Sequence, residues 1–338
     1  LIAKRIGLIF RGAGEAAAMA EALPLMRKYP GSWELVLSVN NVPFSNGSIA
    51  QLLDARRDAA GDAPMPPSMA IMLMRLALTA GREDEARALA RNLGDTVIDA
   101  RIVLSGRLTR SSRLQGDIRE TGFHVARGTE GGPAVVVFPG FKNRVGGWPI
   151  HYFDSLLASR GVTAIYAYDA TQRVFFFGAE GIAGNVEGVA AHIARLPDVA
   201  NASRVLTFGT SGGGMTALRT ALAIGAHGCL TFGAKTILGR PAPNVPDIEL
   251  ERLARFTAAL PLTDRDLRAA WPEDRHLQAT MFYGTGYAPD KAHAARLADR
   301  PGVTLCPVDN VMDHDAFTPS LESGAFEAAL DRLLGRTG

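Results

Sequence analysis

A succession of short apolar runs, alternating with helical patterns, constrains the fold of this chain most strongly. The predicted strands cover 134–138, 162–168, 204–208, 229–232, 279–283 and 303–307, and the helices between and after them lie near 149–159, 182–195, 213–224, 291–298 and 321–334. Strands that are apolar throughout suit a sheet buried on both faces, and regular alternation with helices favours parallel βαβ units. The sequence therefore predicts an α/β domain with a doubly wound, mostly parallel sheet.

The first 96 residues have a different pattern, with helical spacing and recurring Gly and Pro. Gly47 and Gly81 are 34 residues apart, as are Pro30 and Pro64, and Gly14 opens a third copy displaced by one residue. This segment resembles degenerate tetratricopeptide repeats, whose period is 34; a plain helical bundle is the alternative. We predict an all-α helical-repeat region over 1–96 and the α/β domain over 97–338, with its first strands at 97–104 and 118–125.

Composition narrows the functional classes. The 36 basic and 34 acidic residues leave a net charge of +2, which favours neither nucleic acid nor an anionic membrane as a partner. No apolar run reaches the ~18 residues of a membrane span, and the first residues do not resemble a signal peptide, so a cytoplasmic location is predicted. Cys229 and Cys306 are expected to be free thiols, with one disulfide as the alternative. The scattered histidines predict no metal, and no cofactor is expected.

The strongest local signal is Gly209-Thr210-Ser211-Gly212-Gly213, a G-x-S-x-G pattern between a predicted strand and a predicted helix. In this context the serine sits on a sharp turn at the carboxyl edge of the sheet, and the following helix directs its positive end toward a developing oxyanion. Ser211 is therefore the candidate nucleophile. A glycine-rich turn without chemistry is the alternative, whereas the spacing does not fit G-x-G-x-x-G, and Met215 stands where a P-loop needs Lys.

From this motif, the chain over about residues 97–338 resembles the α/β-hydrolase superfamily. The resemblance implies an oxyanion hole made by two backbone amides, here those of Gly212 and Phe141. Phe141 follows a strand in the right order, but Pro139-Gly140 replaces the His-Gly pair common in the family. A merely structural Pro-Gly turn is the alternative.

The resemblance also implies a base and an acid after Ser211, in the order serine, acid, histidine. His314 lies in a loop after the last predicted strand, where the family keeps its base, unlike His227, His276 and His293. Asp290 follows the penultimate strand and is the candidate acid, although it is equally well placed to cap the helix predicted from residue 291. Asp169 and Asp309 remain alternatives, and Asp313 and Asp315 are expected to point away from His314.

Aromatic residues near these loops are candidates for a substrate pocket, with ordinary packing as the alternative. They are Trp148, Phe175, Phe176 and Tyr287, and His151 is added because it follows the oxyanion loop. The polar insertion at 240–278 contains amphipathic stretches at 247–260 and 263–271 and is predicted to form a lid over the site.

Together these features predict a serine hydrolase that cleaves a carboxylic ester, such as an acylated carbohydrate or another small molecule. An acyltransferase with the same triad is an alternative, as is a non-catalytic binding protein on a hydrolase scaffold, because a fold does not determine a function. The helical repeats suggest a protein partner or self-association.

Overall fold

A computed structural model describes residues 2–61, 65–114, 118, 121–242, 245, 261–273 and 275–336. The described residues form two compact units, one up to Arg110 and the other comprising Ser111–Leu114 and the described residues from 121 onward. The predicted domain limit after residue 96 stays a prediction, while the compact units divide near Arg110.

The first unit is helical, as predicted. Ser32 and Ser45 begin α2 and α3 by accepting hydrogen bonds from the amides of Leu35 and Ser48, which satisfies first-turn donors. The helices are α1 Ile2–Lys28, α2 Trp33–Asn41, α3 Asn46–Ala60, α4 Pro67–Thr79, α5 Glu83–Leu93 and α6 Ile98–Ser105.

The glycines of the predicted repeat occupy unlike positions. Gly14 (φ 83°) breaks α1, and Gly81 (φ 75°) makes the turn between α4 and α5. Gly47, in contrast, lies inside α3, and Pro64 is outside the described residues. The helical content is thus confirmed, and the tetratricopeptide character stays a prediction.

The predicted strand at 97–104 is wrong, because this segment forms helix α6. Ala100 and Val103 are buried at helical spacing, Asp99 stands in the first turn, and Gly106 ends the helix in the left-handed conformation (φ 69°). Asp99 also binds Arg75 on α4, with 2.7 Å between its Oδ1 and the Arg75 Nε. Short apolar runs suit both strands and buried helices. Here Asp99 at the start and Gly106 at the end favour the helix.

The second unit contains a seven-stranded sheet in the order β1-β3-β2-β4-β5-β6-β7. β1 is antiparallel to β3, and all other neighbours are parallel, so the predicted mostly parallel sheet is confirmed. The strands are β1 Gly122–Ala126, β2 Ala134–Phe138, β3 Thr163–Tyr168, β4 Val205–Thr210, β5 Gly228–Phe232, β6 Ala279–Gly284 and β7 Val303–Val308.

Helices cover both faces of this sheet, which confirms the doubly wound arrangement. On one face, Phe153, Phe317 and Phe326 from three helices pack around Phe208 and Phe232. On the other face, α8 and α10 bury apolar side chains against β2, β3, β5 and β6. The helices are α7 Ile150–Ala158, α8 Val186–Ala194, α9 Pro197–Ala200, α10 Gly212–Ile224, α11 Leu262–Arg265, α12 Leu267–Ala270, α13 Ala288–Ala295, α14 Phe317–Glu322 and α15 Ala325–Leu333.

The predicted lid is described only in part. Its amphipathic stretch at 247–260 lies outside the described residues. The stretch at 263–271 forms α11 and α12, and buries Leu267 and Trp271 in the core cluster on the α10 side of the sheet. A lid role for the insertion stays a prediction. None of the described helices is long and apolar enough to cross a bilayer.

Candidate active site

Ser211 occupies a strained turn between β4 and α10. Its backbone has φ 54° and ψ −125°, a conformation that costs energy for a residue other than glycine and that marks functional turns. Three backbone hydrogen bonds hold it there: its amide donates to the Phe232 carbonyl at 2.9 Å, and its carbonyl accepts from the amides of Gly214 and Lys235, both at 3.1 Å. The serine therefore stands at the carboxyl edge of the sheet, between β4 and β5.

The glycines around Ser211 are required by close backbone contacts. A Cβ on Gly209 would lie 2.4 Å from the Gly213 carbonyl oxygen, and one on Gly213 would lie 2.2 Å from the Phe138 carbonyl oxygen. A Cβ on Gly214 would lie 2.6 Å from that of Ala234. The pattern in the sequence thus reflects the tight approach of α10 to the ends of its neighbouring strands.

The loop after β2 lies against Ser211. A Cβ on Gly140 would be 3.4 Å from that of Ser211, and one on Gly212 would be 2.7 Å from the Phe141 ring. Among the described residues, no acceptor is found for the amides of Phe141 and Gly212. These two amides are the donors that the predicted oxyanion hole would use.

Asp290 and His314 form a hydrogen-bonded pair. The His314 Nδ1 lies 2.8 Å from Asp290 Oδ1 and 2.7 Å from Oδ2. The Asp290 carboxylate is fully buried, whereas the imidazole is about one-third exposed. Helix α13 has Tyr287 at its N-cap position and no side-chain cap, so Asp290 does not serve as its cap. The geometry is that of an acid that orients a base.

The second imidazole nitrogen of His314 forms no hydrogen bond with the described residues. The Nε2 of His314 is buried and has no hydrogen-bond partner in the described part of the chain. With Nδ1 donating to the carboxylate, the tautomer leaves a lone pair on Nε2, which suits a base. The serine–imidazole hydrogen bond is not formed in this structure; such bonds often form only when substrate binds.

A backbone hydrogen bond joins the loop that precedes Asp290 to the loop that carries His314. The Gly286 amide donates to the Val311 carbonyl at 3.0 Å, which joins the loop after β6 to the loop after β7. Beside His314, Asp315 accepts from the Thr318 hydroxyl at 2.8 Å, and this hydroxyl accepts from the Trp148 indole at 3.1 Å. These contacts fix the His314 loop before the chain enters α14.

Gly233 lies between the Ser211 turn and the Asp290–His314 pair. It lies between Phe232 and Lys235, which hold the Ser211 backbone, and its φ is +54°. A Cβ on Gly233 would be 2.8 Å from both Asp290 Oδ2 and His314 Cε1. The carboxylate and the imidazole therefore pack directly on the turn that anchors Ser211.

We predict that Gly233→Ala lowers the kcat of any reaction that uses Ser211 and His314 together about 10²-fold, because the new methyl group must displace the carboxylate or the imidazole, and small misplacements have effects of this size. The matched control is Gly131→Ala, at φ +64° with open space around its Cβ. Both variants carry a similar backbone cost of about 1–2 kcal/mol. Equal kcat values for the two folded variants would contradict this placement of the pair.

The alternative acids have other partners. Asp169, after β3, accepts hydrogen bonds from the Thr171 hydroxyl at 2.6 Å and from the amides of Thr171, Arg173 and Phe175 at 2.8, 2.8 and 3.1 Å. It therefore shapes its own loop. Asp313 accepts from the Asp315 amide, Asp315 accepts from Thr318 in α14, and Asp309 is exposed.

The other histidines downstream of Ser211 are placed differently. The Nδ1 of His227 accepts from the Val205 amide at the amino edge of the sheet, and exposed His276 precedes β6 at the same edge. His293 is fully buried inside α13, and its Nδ1 accepts from the Thr236 amide at 3.0 Å. His314, in contrast, is hydrogen-bonded to the Asp290 carboxylate.

The predicted pocket residues divide into two groups. Trp148 and Phe175 are almost fully buried, and Phe175 stacks on Phe123, a position typical of core packing; His151 is also buried. Tyr287 lies beside His314, with 5.9 Å between the ring centroids, and Phe176, which is also buried in the core cluster, contacts Phe141 at 6.0 Å between ring centroids. A pocket role for all five stays a prediction, with Phe176 and Tyr287 nearest to the site.

Sequence reasoning missed Lys235, which is buried beside the acid, with 3.5 Å between its Nζ and Asp290 Oδ1. The available signal was that Lys235 is the only charged residue from Gly228 to Gly239, in an otherwise apolar segment.

The two cysteines are outside this site. Burial raises the pKa of the Cys229 thiol to about 12, which makes it a poor nucleophile. Neither cysteine is in a disulfide. No three His, Cys, Asp or Glu side chains group as metal ligands within the described ranges.

No protein-family model and no curated protein matches this sequence. Solved structures align with it over most of their own length. A hormone-sensitive lipase from a metagenome library aligns over 81% of this chain and 100% of its own, with a TM-score of 0.48 and 13% identity.

Two further structures align over less of this chain. An S-formylglutathione hydrolase from Agrobacterium tumefaciens covers 68% of this chain and 94% of its own, with a TM-score of 0.44 and 15% identity. An α/β-hydrolase enzyme from a lagoon-sediment metagenome covers 63% and 96%, with a TM-score of 0.42 and 14% identity. These activities are those of the neighbours, and the function of this chain is argued from its own residues.

Proposed function

We propose that the protein is a serine hydrolase that cleaves a carboxylic ester through an acyl-enzyme intermediate. The observation that carries this proposal is the hydrogen bond between the buried Asp290 carboxylate and His314, a pair that packs on the same turn that holds Ser211 in its strained conformation. A nucleophile, an oriented base and available amide donors at one edge are the parts that acyl transfer needs.

In the acylation step, the Nε2 of His314 takes the proton of the Ser211 hydroxyl as Oγ attacks the ester carbonyl carbon. The carbonyl oxygen becomes an oxyanion and accepts from the amides of Phe141 and Gly212. When the ester C–O bond breaks, the imidazolium gives its proton to the departing alcohol. The acyl group then remains on Ser211.

In the deacylation step, His314 takes a proton from water, and the resulting hydroxide attacks the acyl carbon. The bond to Ser211 Oγ breaks, Oγ regains the proton from the imidazolium, and the carboxylic acid departs. Asp290 holds the Nδ1 proton throughout and stabilises the imidazolium that forms in each half-reaction.

The side chains at the oxyanion hole favour an apolar acyl group. A Cβ on Gly212 would be 2.7 Å from the Phe141 ring and 3.1 Å from the Val174 Cγ2, so an acyl chain beside this amide meets apolar walls. Val174 is held in the left-handed conformation (φ 47°), which is rare for a β-branched residue and fixes its position.

The test is a panel of p-nitrophenyl esters from acetate to laurate, with the acid product measured as well as the phenol. With water as the only acyl acceptor, release of acid and phenol in equal amounts supports hydrolysis. A fall in acid with a new ester after addition of a sugar or alcohol would instead assign an acyltransferase. Folded protein that turns over none of the esters would favour a binding protein.

A further inference from the structure

Lys235 lies beside Asp290, but the proposed reaction steps give it no role. It follows β5, its side chain is only 2% exposed, and its Nζ lies 3.5 Å from Asp290 Oδ1. The same oxygen is 2.8 Å from the His314 Nδ1, so one carboxylate oxygen faces an ammonium and an imidazole together. The Lys235 backbone also contacts the nucleophile, because its amide donates to the Ser211 carbonyl.

A buried carboxylate needs a compensating charge. Removing a carboxylate from water costs several kcal/mol, and a neutral imidazole does not offset its charge. Without a cation nearby, the buried site would balance the carboxylate by holding a proton on the imidazole, and a protonated imidazole cannot act as a base. The Lys235 ammonium provides that balance while His314 is neutral.

On this basis, and resting on the proposed function, we propose that Lys235 is a positioning residue: its ammonium keeps Asp290 ionised and directed at His314, and thereby leaves the imidazole free to accept the serine proton.

The other titratable groups around this pair lie on three elements. Tyr287 packs against the His314 ring from the start of α13, with 5.9 Å between the ring centroids. On the loop of His314 itself, Asp313 is exposed, and Asp315 is bonded to Thr318. On the α13 side, the buried His293 ring accepts from the Thr236 amide and so fixes the segment that carries Lys235. The Lys235 ammonium reaches the Asp290 carboxylate, with 3.5 Å between Nζ and Oδ1.

The experiment compares kcat/KM against pH for the wild type and Lys235→Met. Removal of the ammonium makes protonation of His314 easier, so we expect the acid limb of the profile to move upward by about one pH unit, the usual effect of one nearby charge. Lys291→Met is the matched control, because Lys291 is next to Asp290 in the chain but exposed. Its acid limb should coincide with that of the wild type.

A merely structural lysine would lower Tm or kcat without moving the acid limb, and that result would overturn the proposal. Should Lys235→Met not fold, the wild type decides through the ¹⁵Nζ spectrum of its five lysines, in which the buried one exchanges its protons slowly. An ammonium signal across the acid limb supports the proposal, and a neutral amine there contradicts it. A wild type without ester turnover refutes the proposed function, whereas the ¹⁵Nζ spectrum still tests the ion pair independently.

Discussion

Replacing Ser211 by alanine is expected to lower kcat for a p-nitrophenyl ester about 10⁴-fold or more, the loss found when a triad nucleophile is removed. The variant keeps the strained turn and its backbone hydrogen bonds, since these involve the Ser211 amide and carbonyl. Its thermal stability should therefore change little. Steady-state kinetics on purified protein, with circular dichroism to check folding, give the measurement.

Ser203→Ala is the control for this change. Ser203 is exposed just before β4, at the opposite end of the strand that leads to Ser211. Its kcat should equal that of the wild type. If Ser211→Ala retains more than about a tenth of wild-type turnover, the nucleophile is another group, because triad variants keep far less activity than this.

Asp290→Asn is expected to lower kcat by about 10⁴-fold, as for an asparagine that stabilises the wrong tautomer of the base. The amide of asparagine donates where the carboxylate accepted, so Nδ1 of His314 must carry the lone pair and Nε2 the proton. The base then cannot take the proton of Ser211. Steady-state kinetics on the folded variant give the measurement, and a Tm below that of the wild type is expected because Lys235 loses its counter-charge.

Asp169→Asn is the matched control, since Asp169 is also buried and its carboxylate accepts hydrogen bonds from donors of its own loop. Its variant should lose stability, because an amide nitrogen cannot accept from the backbone donors. Its kcat should fall less than tenfold. If Asp169→Asn lost more activity than Asp290→Asn, Asp169 and not Asp290 would be the acid that orients His314.

The local parts of the site are the ones that sequence predicts well. The turn at Ser211 depends on contiguous residues, and the glycines that permit it are part of the same short motif. The sheet is equally readable, because each buried strand is a continuous apolar run, and its parallel order follows from the helices between strands. His314 and Asp290 were found through their order along the chain, and the structure brings them into hydrogen-bond contact.

Features that depend on distant contacts were not predictable. Helix α6 has an apolar pattern that suits a strand as well, and its ion pair with Arg75 is visible only in the fold. Trp148 was a pocket candidate by type, but its indole bonds to Thr318, which is 170 residues away. Lys235 carries no motif, and its meaning depends on a carboxylate contributed by another loop.

The central claim, that Ser211 is an activated nucleophile, is tested most directly by covalent labelling with a fluorophosphonate, followed by mass spectrometry of the intact protein and its peptides. We expect a single adduct on the peptide that contains Ser211, absent in Ser211→Ala and formed much more slowly in His314→Ala. Folded wild-type protein that stays unlabelled, or that carries its adduct on a different serine, would contradict it.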